Sequence, residues 1–563
     1  MTKLSSLTIS ASAALCLLTS AAYAQMDPGV RGGLAMTAGA LQQQAMQVYF
    51  QTGKLPPSPP IPHPPLISPH PITGATATQN EVASFLEGIN RAGQLESTCD
   101  TCAMVPDGSP ATGVNEIDPI FPQFTTNSNG LGARHNADQC FACHAQPTLG
   151  GSGGFLVPNP RQVALRQQPP MPPENPQFNL IPHRFGKQNT VPAFEGQSGP
   201  ITEVRFIYKV DPATGNFLTD ANKNLIPDGG VHQLWIVKGI QGDPGISQCA
   251  ISQPTFAKQV QQGNVAFRIP LQMLGLGLID SIQDREILAR QATAQQTAAS
   301  LGIMGITGHP NRSGNDGTIT RFGWKAQNKS ITMFAAEAYN VEMGITNELF
   351  PTATEEDPAC QGNPPFGNEK PEPNDVTRTQ NNDKGPPANQ SFFNPLHILA
   401  DWMQFQLLMR FTDAPQPVAV PSASAQHGNG VFIGIGCALC HTPQMMTAPV
   451  MNSAVLQNRP VNLFSDLLVH QMGPGLADGI SQGQAGPDEF RTTPLWGVGQ
   501  RIFFLHDGRT TDLLQAILAH QSGKGVGAGG ISYPPSEANG VINQFKMLST
   551  SDQQAILDFL RSL

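Results

Sequence analysis

Apolar and polar residues follow different periods in different parts of this chain, and each period predicts a different element. Leu7 to Leu18 is almost unbroken apolar sequence behind Lys3, and Ala22-Tyr23-Ala24 supplies a small-x-small site before Gln25. That is the pattern of an export signal over residues 1–24. The run is too short to span a bilayer, and no later stretch replaces it. The mature chain is therefore expected to lack a membrane span and to be periplasmic or secreted. Residues 202–240 alternate apolar and polar positions around Thr-Gly, Asp-Gly and Gly-Gly turns, which predicts a small β-hairpin insertion. Towards the end the spacing turns helical. Leu513, Ala516, Ile517 and His520 share one helix face. Ile556, Leu557, Leu560 and Leu563 share another, behind a capping-box spacing of Ser551 and Gln554.

Two stretches carry no such period. Leu55 to Pro71 reads as a polyproline spacer, with His63 and His70 as solvated linker histidines. Residues 352–390 are rich in Pro, Asn, Asp and Glu and read as a linker. The 563 residues are 39% hydrophobic and 13% charged, enough apolar sequence for sizeable cores. That length suggests about two to four domains. A formal charge of −9 argues against nucleic acid as a partner.

The chemistry is carried by two pentapeptides, Cys140-Phe-Ala-Cys143-His144 and Cys437-Ala-Leu-Cys440-His441. Each is C-x-x-C-H, the attachment signature for c-type haem. Two thiols three residues apart can add to the two vinyl groups of one porphyrin, and the adjacent imidazole then faces the iron. Two copies about 300 residues apart in an exported chain predict two covalently attached haem c groups, with His144 and His441 as proximal ligands. Of the other cysteines, Cys16 leaves with the signal, and Cys99, Cys102, Cys249 and Cys360 suggest disulfides of undetermined pairing. A redox-active Cys99-Asp-Thr-Cys102 is the alternative.

The sixth ligand decides whether a haem only transfers electrons or also reacts with small molecules. For the second haem, His520 on its apolar helix face is the leading candidate, ahead of Met472, His506 and His470. For the first, His135 and His183 are candidates, His135 reading more naturally as a surface residue. Arg509, Arg491 and Lys325 are candidate partners for haem propionates, because buried carboxylates need cationic neighbours. Asp507 is placed to fix the turn before the His520 helix.

Several segments together resemble the di-haem oxidoreductase (thiol oxidoreductase-like) family of the bacterial diheme cytochrome c peroxidase superfamily. They include Arg268 to Ile279, Phe322 to Ala326, Glu342 to Asn347, Gly436 to Pro443, Phe464 to Gly473, Phe490 to Gly497 and Phe504 to Arg509. The resemblance covers about residues 120–350 and 395–563. It implies a mainly α fold of two cytochrome c-like haem domains with long loops. The expected division is signal 1–24, N-terminal extension with the Pro-rich spacer 25–114, first haem domain 115–351, linker 352–390 and second haem domain 391–563.

The resemblance also implies roles. The residue fourteen positions after the His of the His-Asp-Gly motif is the distal ligand of the C-terminal haem, Met in the peroxidases and Tyr in the related methylamine-utilisation enzyme. Here it is His520. A distal glutamate that handles protons during O–O cleavage corresponds to Glu342 of the Glu342-Met343 pair. A tryptophan between the haems corresponds to Trp324. The chain departs from the peroxidases at Thr332, where they have Gln, which puts peroxidase-grade chemistry in doubt. A calcium ion between the domains also belongs to the superfamily, but no compact acidic loop names its ligands here.

The expected function is an exported diheme c-type cytochrome oxidoreductase, peroxidase-like. Electrons from a small cytochrome c or cupredoxin would enter at the C-terminal haem and reach an N-terminal haem that reduces peroxide or a related small-molecule oxidant. The alternatives are an electron-transfer cytochrome without its own catalysis, and a diheme oxygenase like the secreted rubber-cleaving enzymes.

Overall fold

The computed structural model describes residues 27–32, 63–93, 95–97, 127–129, 134–137, 139–154, 200–233, 235–236, 256–345, 347, 349–350 and 401–563. The export signal, Cys99, Cys102, Cys249, Cys360, His183 and the 352–390 linker lie outside them. The described part is mainly helical. Its ten α-helices are α1 (Gln79–Gly93), α2 (Phe256–Gln261), α3 (Leu276–Asp280), α4 (Asp284–Ser300), α5 (Ile331–Met343), α6 (Asp401–Phe411), α7 (Ala423–Gly434), α8 (Leu513–Leu518), α9 (Asn539–Met547) and α10 (Thr550–Ser562). The strands form seven two-stranded ladders, all but one antiparallel.

Local sequence explains where the main helices start and stop. α1 opens on a reciprocal capping box: the Thr78 N–H donates to Glu81 Oε2 (2.7 Å) and the Glu81 N–H donates to Thr78 Oγ1 (3.3 Å). Ser330 caps α5 by accepting from the Met333 N–H (3.2 Å). Gly344 ends α5 in the left-handed region (φ 69°), where a side chain would be strained. α10 is capped by Ser549, whose hydroxyl accepts from the Asp552 N–H (3.1 Å). The expected Ser551–Gln554 cap therefore lies two residues too late, because the Ser549 hydroxyl already accepts from an orphan N–H of the first turn, that of Asp552.

Two cores hold the elements together. In one, Phe85 and Ile89 of α1 meet Phe405 and Leu408 of α6, Tyr339 of α5, Leu276 and Ile279 of α3, and Phe141 within the first C-x-x-C-H motif. In the other, Phe432 of α7, Phe545 of α9 and Leu557, Phe559 and Leu560 of α10 pack around Phe504 and Leu513. α7 and α10 cross so closely that a Cβ at Gly428 would lie 1.8 Å from the Ala555 carbonyl oxygen.

The predicted insertion is a twisted meander. β1 (Glu203–Phe206) pairs antiparallel with β2 (Val265–Arg268), Glu203 opposite Arg268. Between them, isolated bridges join Val210 to Phe217 and Thr219 to Leu225. A buried ion pair fastens β2 to the C-terminal half: Arg268 Nη2 and Asp478 Oδ2 are 2.6 Å apart, with Lys325 Nζ 3.2 Å from Asp478 Oδ1.

Candidate functional site: two cavities joined at Trp324

Both C-x-x-C-H motifs fold the same way. Cys140–Ala142 and Cys437–Leu439 are single 3₁₀ turns, and the following His N–H donates back to the first Cys carbonyl (3.1 Å to Cys140, 3.0 Å to Cys437). The turn brings two half-buried thiols and one imidazole onto the wall of a cavity in each case.

The cavity at Cys437, of about 230 Å³, is largely apolar and faced by residues of α7, α8, α9 and α10. His441 and His520 face each other across it, ring centroids 6.5 Å apart. Two imidazoles binding one iron from opposite sides would hold their centroids about 6 Å apart, given metal–nitrogen bonds of about 2 Å. Each ring is oriented from behind. His441 Nδ1 donates to the Phe464 carbonyl (3.1 Å) and His520 Nδ1 donates to the Ala516 carbonyl (2.8 Å). A carbonyl only accepts, so both Nε2 atoms are left unprotonated and available to a metal. Burial, then the neighbouring His520, pushes the His441 imidazole down to about 4, and burial lowers His520. His520 sits just beyond α8, its N–H donating to the Ile517 carbonyl (3.2 Å), so the helical face read from sequence runs on one turn past the helix.

The cavity wall also carries unpaired charge. Arg491 Nε and both Nε and Nη2 of Arg501 are buried with no partner among the described residues. Burial alone lowers both guanidinium groups to about 10. A buried cation without a counter-ion is costly, so the pair fits a ligand that brings its own carboxylates. Facing imidazoles, adjacent thiols, apolar walls and two arginines with orphaned nitrogens together fit haem, with Arg491, whose Nη1 donates to the Arg321 carbonyl (3.0 Å), and Arg501 at its propionates.

The other expected propionate partners are engaged elsewhere. Arg509 pairs with Asp507 (2.8 Å) and donates to the Gly475 carbonyl (2.7 Å). Lys325 pairs with Asp478 and donates to the Gly486 and Glu489 carbonyls (both 2.8 Å). His470 is likewise committed: Nε2 meets Asp466 Oδ2 and Nδ1 meets Glu537 Oε2, both at 2.9 Å. Burial opposes a charge on His470, but Cys440 and Asp466 beside it hold the imidazole well above its usual range. Cys440, Asp466 and His470 are the one cluster of three potential metal donors among the described residues. Burial raises the Cys440 thiol, which disfavours the thiolate a metal needs. Met472 and His506 also line this cavity, His506 stacked on Phe490 (4.4 Å) and edge-on to Trp324 (6.3 Å).

The cavity at Cys140, of about 420 Å³, is more polar. His144 Nδ1 donates to the Gly151 carbonyl (3.1 Å), presented by a loop closed through Gln146 and Ser152 (3.0 and 2.7 Å). Burial lowers this imidazole. Cysteine pair and oriented imidazole fit a second haem. Among the described residues no second histidine lines this cavity. His135 is buried rather than superficial, because its strand pairs with Trp235–Ile236, and it does not reach the cavity.

Glu342, in the last turn of α5, does reach it. Asn136 Nδ2 donates to Glu342 Oε2 (2.7 Å), and the Asn136 N–H donates to the Glu342 carbonyl (2.6 Å). Burial first, and the Glu203 carboxylate next, push Glu342 up to about 8. Glu203, Arg205, Glu337 and Gln327 share this wall and were not singled out from the sequence. Three of them sit in or near alternating or helical segments with no motif to mark them. Thr332 donates to Gln406 Oε1 (2.6 Å) and does not line the cavity.

Trp324 lines both cavities and is the one described residue that does. Its indole N–H donates to the Ile269 carbonyl (2.9 Å) and its own carbonyl accepts from the Arg491 N–H (2.8 Å). His70, expected to be solvated, is buried: Nδ1 accepts from the Ile72 and Thr73 N–H groups and Nε2 donates to the Gln457 carbonyl (3.0 Å).

Paired cavities of this kind define a protein that carries two haems for oxidoreduction. The family model described as di-haem oxidoreductase, putative peroxidase matches residues 246–563, and the chain belongs to that family. No curated protein matches the chain. Among the described residues, no helix is long and apolar enough to cross a membrane.

Proposed function

We propose that this is an exported diheme c-type oxidoreductase of the peroxidase kind, with cytochrome c-like haem domains and both haems attached through their C-x-x-C-H thiols. Electrons from a small redox protein, a cytochrome c or cupredoxin, enter at the His441/His520 site. They pass by way of Trp324 to the His144 site, where peroxide or a related small oxidant is reduced. Bound haem supplies the one-electron chemistry and an iron at which the oxidant is held. The chain supplies the difference between the sites. His441 and His520 close one site from both sides. At the other, His144 is the one histidine on the cavity wall among the described residues, and Glu342 lines that wall where it can hold or take up a proton.

That asymmetry is the observation that carries the reading: two facing imidazoles in one cavity and, among the described residues, one imidazole with a buried acid in the other. Electron paramagnetic resonance of the oxidised and half-reduced protein tests it. The expected result is one low-spin bis-histidine signal, with high-spin iron at the His144 site before or after half-reduction, and reaction with peroxide. Two permanently low-spin haems with no peroxide reaction would leave only an electron-transfer protein.

A further inference from the structure

Lys325 is fully buried, yet it lines neither haem cavity. Its ammonium has three N–H donors and meets three acceptors. It donates to the Gly486 and Glu489 carbonyls (both 2.8 Å) and lies 3.2 Å from Asp478 Oδ1. It also stands over the Phe490 ring, 4.1 Å from the centroid. Burial pulls the group down to about 8 while Asp478 supports its charge, so it remains an ammonium at neutral pH. Asp478 is itself held in place. Arg268 Nε and Nη2 donate to its Oδ2 (3.0 and 2.6 Å), and the Ile480 N–H donates to its Oδ1 (3.0 Å). A hydrophobic side chain of similar volume often fills such a space without loss of stability. What the ammonium adds is direction, because its three bonds fix three separate pieces of chain around one point.

Those pieces surround the wall between the cavities. Trp324 and Lys325 are the two central residues of a tight turn, closed by the Ala326 N–H donating to the Gly323 carbonyl (3.2 Å), with Gly323 at φ 86°. The indole shares an apolar cluster with Phe490 and lies edge-on to His506 (6.3 Å), which stacks on Phe490 (4.4 Å). Backbone ties hold the turn itself: the Trp324 carbonyl accepts from the Arg491 N–H (2.8 Å), and the Lys325 carbonyl accepts from Asn311 Nδ2 (2.9 Å). Lys325 then holds to that turn the stretch that leads into Phe490. One turn thus carries both the indole and the tie that sets what the indole packs against. We propose that Lys325 is the positioning residue for Trp324, its ammonium tying the Gly486–Glu489 stretch to the turn and so setting the geometry between the indole and the Phe490–His506 stack. Its effect on electron transfer rests on the electron path proposed above. In each transfer Trp324 gives one electron to the His144 site and regains one from the His441/His520 site. No bond is made or broken, and the electron donor and the oxidant are those of the proposed reaction.

The test pairs ultraviolet resonance Raman with stopped-flow half-reduction, both on the haem-loaded protein. The chain has four tryptophans, and the difference from Trp324→Phe isolates the indole bands of Trp324. Lys325→Met keeps the length of the side chain and loses its charge and donors. In that variant the Trp324 band that reports ring orientation should shift. Electron transfer between the haems should slow at least roughly tenfold, as it does when a positioned reacting group is displaced. Lys325→Gln keeps two N–H donors for the Gly486 and Glu489 carbonyls, so it should fall between the parent and Lys325→Met on both readouts. It carries the test alone if Lys325→Met does not fold. A residue that only stabilises the fold would lower the melting temperature and leave the Trp324 band in place. An unchanged band in the folded variants, or a parent-like transfer rate where Trp324→Phe is slow, overturns the proposal. A shifted band with a parent-like rate in these variants and in Trp324→Phe would keep Lys325 as the positioning residue and remove Trp324 from the electron path.

Discussion

A buried histidine is useful to a metal only if one ring nitrogen is committed and the other is free. His144, His441 and His520 each meet that condition through a backbone carbonyl behind Nδ1. His470 fails it, with a carboxylate on each nitrogen. His520→Ala should therefore convert the second haem from low-spin to high-spin in its optical and paramagnetic spectra, while His470→Ala should leave its ligation intact. An unchanged spectrum in His520→Ala would remove the ligand assignment. Arg501 makes a second prediction. Its unpartnered nitrogens leave a positive charge beside the second cavity. Arg501→Met should lower the midpoint potential of that haem by roughly 60 mV, the one-electron equivalent of about 1.4 kcal/mol of lost charge interaction. A rise or no change would show that the guanidinium does not face the cofactor. None of the three arginine nitrogens, Arg491 Nε and Arg501 Nε and Nη2, could be recognised as orphaned from sequence, because that depends on which carbonyls the fold brings near. Arg491, Arg509 and Lys325 looked alike as residues, and only Arg491 lines the cavity.

Elements show where sequence patterns suffice. Leu513, Ala516, Ile517 and His520 all line one cavity, as their spacing required. Ile556, Leu557, Leu560 and Leu563 all enter one core. Periodic faces are legible because burial selects them residue by residue. Glu203 and Arg205 were not, because on a half-buried strand a polar position alternating outward looks the same whether it faces solvent or a cavity. The crossing of α7 and α10 was also hidden, since it depends on backbone approach. Two glycines of α7 turn this into a paired prediction. Gly428→Ala should destabilise by about 1–3 kcal/mol, because the added Cβ would overlap the Ala555 carbonyl oxygen at 1.8 Å. Gly430→Ala, with nothing within 4 Å of its Cβ, should stabilise by up to about 1 kcal/mol through helix propensity alone. Denaturant melts of the two haem-loaded variants give the signs. Equal effects would mean that the helices do not cross as closely as described.

At the scale of the whole molecule the two cavities matter less than the wall between them. Trp324 is anchored at both its ring and its backbone, to Ile269 and to Arg491, and it is mostly buried. It sits between Ile269, on the His144 cavity, and the Phe490–His506 stack of the His441 cavity. Its indole hydrogen bond ends on a carbonyl, which cannot take the proton. A transient one-electron oxidation of Trp324 would therefore leave its N–H in place and its packing undisturbed. A shared wall residue of this kind could be filler or relay, and one substitution separates the two. Phe at this position keeps most of the packing and the ring contact with His506, but it loses the easily oxidised indole and its hydrogen bond. If Trp324 is the relay, Trp324→Phe should slow electron transfer between the haems at least roughly tenfold, equivalent to about 1.4 kcal/mol in barrier. The spin states of both haems should stay as they are in the parent protein. Stopped-flow half-reduction, following each haem at its own absorption, reads both quantities in one experiment. A parent-like rate with unchanged spectra would make Trp324 a packing residue, and the electrons would then have to cross the wall through another of its side chains.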